Sequence, residues 1–249
     1  MSDYAAPPLV TRAFRLALRN VDGMMTALIL PVILMLMFVY LFGGAIDTGT
    51  RYVDYVVPGV LLVCIGFGSG TTAVTVASDL AGGIIDRFRS MDVRGEALIS
   101  GHVVASVARN LVSAALVIAV AFAIGFRSHA GVDHWLVALG ILALFVLALS
   151  WLAAAIGIVA RSPEAAQGIA FLVSFVPYVS SAFVPVRTMP AALRTVANSQ
   201  PATAVIDTLR ASLNGGRVGP HACHAVVWSL AIIVVSIALS GVLFRRRAR

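Results

Sequence analysis

Apolar and polar positions along this chain alternate in long blocks rather than at short periods. Six blocks approach or exceed the about 20 predominantly apolar residues that a membrane-crossing helix needs. They predict spans at about 23–42, 56–78, 103–126, 135–160, 165–184 and 222–244. Pro31 predicts a kink in the first, and the fifth carries Pro177 and the Ser180–Ser181 pair. Ahead of them, residues 9–20 (LVTRAFRLALRN) set Arg12, Arg15 and Arg19 on one face and Leu9, Phe14, Leu16 and Leu18 towards others. That pattern predicts a short helix lying in the membrane interface, its arginines on the headgroups. Between the fifth and sixth spans, MPAALRTVA and PATAVIDTLRASL read as amphipathic helices split by Asn198-Ser199-Gln200-Pro201. They are expected as a re-entrant pair sheltered by protein. The fold class expected is an all-α membrane protein, with residues 1–249 forming a single transmembrane domain.

One stretch breaks the pattern. Asp79 to Gly101, DLAGGIIDRFRSMDVRGEALISG, holds Asp79, Asp86, Arg87, Arg89, Asp92, Arg94 and Glu96 between two long apolar runs. Such an island lies in water beside the membrane. Gly82 and Gly83 allow a sharp turn, after which Ile84, Phe88 and Met91 alternate with Asp86, Arg87 and Arg89 at helical spacing. An apolar face edged by charge suits contact with a partner protein.

Composition supports a membrane setting and narrows the chemistry. Of 249 residues, 60% are hydrophobic and 12% charged, against about 25% charged in soluble domains. All 18 basic residues are Arg. Without Lys the chain has neither a P-loop's phosphate-binding Lys nor a Schiff-base nucleophile, so ATP used here must be bound by another polypeptide. The net charge of +7 reads as Arg-rich cytoplasmic flanks and not as a nucleic-acid surface. With the N-terminus inside, the inner pieces hold eleven arginines: 12, 15, 19, 87, 89, 94, 161, 245, 246, 247 and 249. The outer pieces hold six: 51, 127, 187, 194, 210 and 217. Both termini and the Asp79–Gly101 island are therefore expected in the cytoplasm. The two cysteines, Cys64 and Cys223, sit in or beside apolar segments and read as inert packing residues.

The remaining motifs offer little chemistry. Gly66–Gly70 (GFGSG) lies within an apolar span and lacks a following Gly-Lys-Ser/Thr, so close helix packing through small residues is the better reading. His221, Cys223 and His224 are crowded into four residues with no second cluster to complete a tetrahedral metal site. Arg109 and Asn110 are unusual in a span; Arg109 is expected about two turns into its helix, able to pair with Asp79 or Asp86. No Asp or Glu falls at the middle of a predicted span, which weighs against an ion-coupled carrier.

ASDLAGGIIDRFRSM followed by Arg109-Asn110 resembles the cytoplasmic loop of ABC-2 type transporter permeases, in the branch of daunorubicin-resistance-type drug export subunits. A second block, residues 161–210, is also similar to that family. It has the turn Pro163-Glu164-Ala165, the element Ser180 to Pro185, Met189-Pro190, and then Pro201, Thr203 and Arg210. YVVPGVL (55–61) fits the family's Pro-Gly entry to the second span. Asp92 departs from the pattern, standing where the family usually has a Pro. The resemblance implies a half-transporter of six spans in the cell membrane of a bacterium. It would pair with a second permease, identical or a paralogue, and with two ATP-binding subunits that carry ATP and Mg. No cofactor is expected on this chain. It implies that Asp79, Gly82, Gly83, Ile84, Asp86, Arg87, Phe88, Arg89 and Met91 receive force from the ATPase, beside Arg12, Phe14, Arg15 and Arg19 of the interfacial helix. The substrate would be a hydrophobic or amphipathic drug, antibiotic or lipid. An ion-coupled carrier and a non-transporting scaffold remain the alternatives.

Overall fold

A computed structural model describes residues 21–82 and 95–247, with side chains for 29–82 and 99–243. The described residues are helical, with no strand among them. The α-helices are α1 (Val21–Met37), α2 (Tyr52–Ala81), α3 (Gly95–Ala123), α4 (Val132–Val159), α5 (Pro163–Ser174), α6 (Ala191–Ser199), α7 (Pro201–Leu213) and α8 (His221–Arg247). A π-helical turn, Phe38–Phe42, continues α1, and 3-10 turns at Val176–Val179 and Val186–Thr188 lie between α5 and α6. The expected interfacial helix at 9–20, with Arg12, Phe14, Arg15 and Arg19, lies outside the described residues.

Four segments are long and apolar enough to cross a membrane: Tyr52–Ala81, Ile99–Ala123, Val132–Val159 and His221–Leu243. This is a multi-pass membrane protein. The second, third, fourth and sixth expected spans are these helices, each starting ahead of its expected first residue. The first expected span is helical, and the part with described side chains, Ile29–Phe42, is a shorter apolar helix.

The fifth expected span, 165–184, is not one continuous helix. The α-helix stops at Ser174 after 12 residues, about 18 Å at 1.5 Å per residue, short of a bilayer core of about 30 Å. Pro177 is the physical reason, because it has no N–H and its ring displaces the carbonyl four residues before it. The chain tightens instead, with Phe175 N–H donating to Leu172 O at 3.1 Å and Tyr178 N–H to Phe175 O at 3.0 Å. The start of α5 is well specified. Ser162 accepts from Ala165 N–H at 3.2 Å, Pro163 occupies the first turn and Glu164 faces the helix dipole.

Helix α2 is the hub, packing against α1, α3, α4, α5 and α7. In its most apolar window 78% of residues are buried, against 17% in α8. Helix α8 turns Val227, Val234 and Val235 outward, as a lipid-facing helix does. The approach between helices rests on small residues: Ala73 and Ala77 of α2 cluster with Ala153 of α4 and with Ala166 and Ala170 of α5. Gly66 lies against the Ser174 backbone and Gly70 against Ala170, so the glycine-rich stretch packs helices closely. The two expected amphipathic helices are present and unequal. Helix α7 buries Val205, Ile206 and Leu209 in the core, while α6 leaves Leu193 and Val196 exposed.

Candidate functional site

The expected contact loop begins where α2 ends. Gly82 caps that helix, its N–H donating to Ser78 O at 2.9 Å. Its φ of −75° is open to most residues, so the turn does not use glycine's left-handed freedom here. Gly83, Ile84, Asp86, Arg87, Phe88, Arg89 and Met91 lie outside the described residues, as does Asp92. The loop's flanks are continuations of α2 to Ala81 and of α3 from Gly95. Across its neck the Asp79 carboxylate lies close to the His102 ring, Oδ2 to Nε2 2.9 Å, so the end of α2 and the start of α3 are side by side. Sequence reasoning missed the contact because nothing in the spacing shows that residues 23 positions apart meet.

Arg109 does not pair with Asp79. Helix α3 starts eight residues before the expected span, so Arg109 lies four turns along it, not two. Its Nη2 donates to Thr72 Oγ1 at 2.8 Å and to Gly68 O at 3.4 Å. Asn110 beside it is fully buried and donates from Nδ2 to Ser69 Oγ at 3.2 Å and Ser106 Oγ at 3.3 Å. Ser150 of α4 donates to Ser106 at 2.9 Å, which completes a polar seam through α2, α3 and α4. Gly68 makes the seam sterically possible, because a Cβ there would fall 2.1 Å from Asn110 Oδ1. In a lipid environment each such bond replaces what would otherwise be an unsatisfied polar group.

A second polar cluster holds the opposite end of α2. Arg210 of α7 donates to Asp207 Oδ1 at 2.7 Å, Ser181 O at 2.6 Å and Tyr55 O at 3.1 Å. Its guanidinium carbon lies 3.7 Å from the centre of the Tyr55 ring. Burial works against this charge and pushes its ionisation below the ordinary arginine range, while Tyr55 and Asp207 beside it act the other way. Ser181 donates its hydroxyl to Asp207 at 2.7 Å, and Tyr52 donates to Phe183 O at 2.9 Å. Phe183 in turn stacks on Phe38 at 4.3 Å and on Tyr178 at 5.2 Å. A Cβ on Gly59 would fall 2.7 Å from the Ala182 backbone, so the Ser180–Pro185 segment lies directly on α2.

These contacts explain the residue types in the 161–210 block. Arg210 anchors the irregular segment after α5, Ser181 lends it a carbonyl, and Asp207 supplies the counter-charge at i−3. Tyr52 and Asp207 were the missed members. The one-turn spacing of Asp207 and Arg210 on an amphipathic helix was the available signal. Neighbouring connections are tied in through Asp54, which accepts from Arg51 at 2.9 Å and from the Arg127 N–H at 3.3 Å.

Among the described residues no group of three His, Cys, Asp or Glu side chains is placed to hold a metal ion. His224 Nδ1 lies 3.1 Å from Pro220 O in its own helix turn, and Cys223 is exposed. Among the described residues the arrangement is a membrane core with polar anchors towards both ends of α2.

Comparison with known proteins places that architecture. Residues 8–214 match the ABC-2 type transporter family. The chain is 30% identical over 189 residues to the daunorubicin resistance ABC transporter permease protein DrrB1 of Streptomyces coeruleorubidus, covering 75% of this chain and 67% of that protein. It is 20% identical over 222 residues to the protein named "Probable doxorubicin resistance ABC transporter permease protein DrrC" of Mycobacterium tuberculosis, covering 88% of this chain and 80% of that one.

Proposed function

Because this chain belongs to the ABC-2 type transporter family, we propose that it is the permease of an ATP-driven exporter that moves a hydrophobic or amphipathic molecule outward. Two copies of a separate ATP-binding subunit carry ATP and Mg, and a second permease, the same chain or a paralogue, completes the pathway. The relatives named for daunorubicin and doxorubicin resistance support a drug, antibiotic or lipid as substrate. Both termini face the cytoplasm of a bacterial cell, and α6 with α7 enters the outer leaflet as a re-entrant pair.

The observation that supports this reading is the pair of helices that the charged island joins in the sequence. The island joins the most buried helix, α2, to α3, and Asp79 meets His102 at its neck. Force applied to the loop therefore reaches the helix that touches five others. In this reading Asp79, Gly82, Gly83, Ile84, Asp86, Arg87, Phe88, Arg89 and Met91 form the coupling surface. Arg12, Phe14, Arg15 and Arg19 flank it on the interfacial helix.

The test is reconstitution of the permease with its ATP-binding subunit in proteoliposomes, following a fluorescent single-chain amphiphile. Movement is expected to require ATP and to survive collapse of the proton gradient. Movement that stops with the gradient while ATP remains would assign an ion-coupled carrier. No stimulation of the ATPase would leave a scaffold. Changing Asp86 and Arg87 together to Ala is expected to dissociate the complex or uncouple hydrolysis from transport. Intact assembly and coupling in that variant would remove the loop from the mechanism.

A further inference from the structure

Among the described residues Arg109 is a cation that lies within an apolar segment and has no counter-ion. It lies at the middle of α3, fourteen residues from Gly95 and fourteen from Ala123, about 21 Å from each at 1.5 Å per residue. Its hydrogen bonds to Thr72 and Gly68 hold it sideways against α2, away from either surface. Among the described residues the ion pairs are Arg51–Asp54, His102–Asp79, His134–Asp133 and Arg210–Asp207, and Arg109 belongs to none. Its Nε is buried and has no hydrogen-bond partner among the described residues. A guanidinium presents five N–H donors and cannot shed its charge, so deprotonation is not a way out.

Arg210 shows what a completed guanidinium looks like in this protein. It has a carboxylate, two carbonyls and an aromatic face. Arg109 has a hydroxyl and one long contact to a carbonyl. Leaving a buried charge in that condition is costly, and more so in hydrocarbon. The site is also reachable. Arg109 is only partly buried, and Thr75, one turn along α2 from Thr72, is exposed. Beyond Arg109 on the same face of α3, Val112 and Leu116 are exposed at i+3 and i+7 and give an apolar chain a surface to lie on.

We propose that Arg109 binds the anionic group, a phosphate or a carboxylate, of an amphipathic molecule whose apolar part lies along Val112 and Leu116. Planar bidentate pairing to such an oxyanion uses the donors that the protein leaves free. As a statement about the transported substrate this rests on the exporter reading above; as a binding site it does not. The anion comes from a membrane lipid headgroup or from the transported molecule.

The experiment uses the full-length chain in phosphatidylcholine nanodiscs and compares dodecyl phosphate with dodecyl alcohol, which has the same alkyl chain and no anionic group. The expected result is about tenfold or stronger preference for dodecyl phosphate, lost in R109Q and partly kept in R109K. Equal affinity in the unmodified protein overturns the proposal, and so does a preference that survives in R109Q. The wild-type comparison needs no variant, and R109K covers the case in which R109Q does not fold. Native mass spectrometry distinguishes the sources. Phosphatidylglycerol retained by the wild type and lost from R109Q identifies a headgroup. ATP-dependent movement of dodecyl phosphate without retained lipid identifies a substrate. Movement of a neutral amphiphile by the complete complex is measured in parallel. If that movement is present and the anion preference absent, only this proposal fails. If the preference is present and no amphiphile is moved, the exporter reading fails and the site stands.

Discussion

Arg210→Met tests whether the anchor on α7 holds the irregular segment after α5 against α2. Methionine keeps much of the length and removes the charge. It strands the Asp207 carboxylate with only the Ser181 hydroxyl to donate to it and leaves the Ser181 and Tyr55 carbonyls without this donor. The arginine and aspartate side chains are 16% and 25% exposed, so the pair is largely shielded from water. Removing one partner of a buried pair costs about 3–5 kcal/mol, and the residual exposure of Asp207 places this case near about 3 kcal/mol. For a chain of this size that is a fall in Tm of about 6–12 °C. The measurement is thermal unfolding of the full-length chain in nanodiscs, followed by tryptophan fluorescence. Arg210→Met combined with Asp207→Leu should recover part of the loss, because the stranded charge goes with its partner. A fall below about 2 °C for the single variant would refute the anchor, as would a double variant whose loss equals the sum of the two singles.

Other positions test neighbouring contacts by the same measurement. Gly59→Ala puts a methyl 2.7 Å from the Ala182 backbone and should cost about 1–3 kcal/mol, with only partial rescue by Ala182→Gly since backbone atoms are also in the way. Tyr52→Phe strands the buried Phe183 carbonyl, and a loss of about 1–3 kcal/mol is expected; an unchanged Tm would mean that this bond contributes nothing. Gly68→Ala should separate α2 from α3 by colliding with Asn110 Oδ1, and Asn110→Ala should relieve that collision. Additive losses for Gly68 and Asn110 would show that the two do not touch.

The long apolar blocks and the charged island were readable from the chain alone, because a bilayer forces about 20 apolar residues into each crossing and expels charge from its core. The resemblance in residues 79–91 and 161–210 named the family that the comparison then showed. Hydropathy could not read the fifth segment, because it counts apolar residues and is blind to the hydrogen bond that Pro177 removes. Nor could it show which helix is central. All six blocks are apolar, and only packing separates α2, buried on nearly every side, from α8, which is mostly exposed. In the sequence Arg210 closes the family-like block on an amphipathic helix, and Arg109 reads as a cation near a helix mouth. Their partners lie 155 and 37 positions away, at Tyr55 and Thr72, and long-range pairing leaves no mark in local spacing. Composition alone determined the solvent this protein lives in. Tertiary structure decided that, among the described residues, Arg210 is paired with a carboxylate and Arg109 is not.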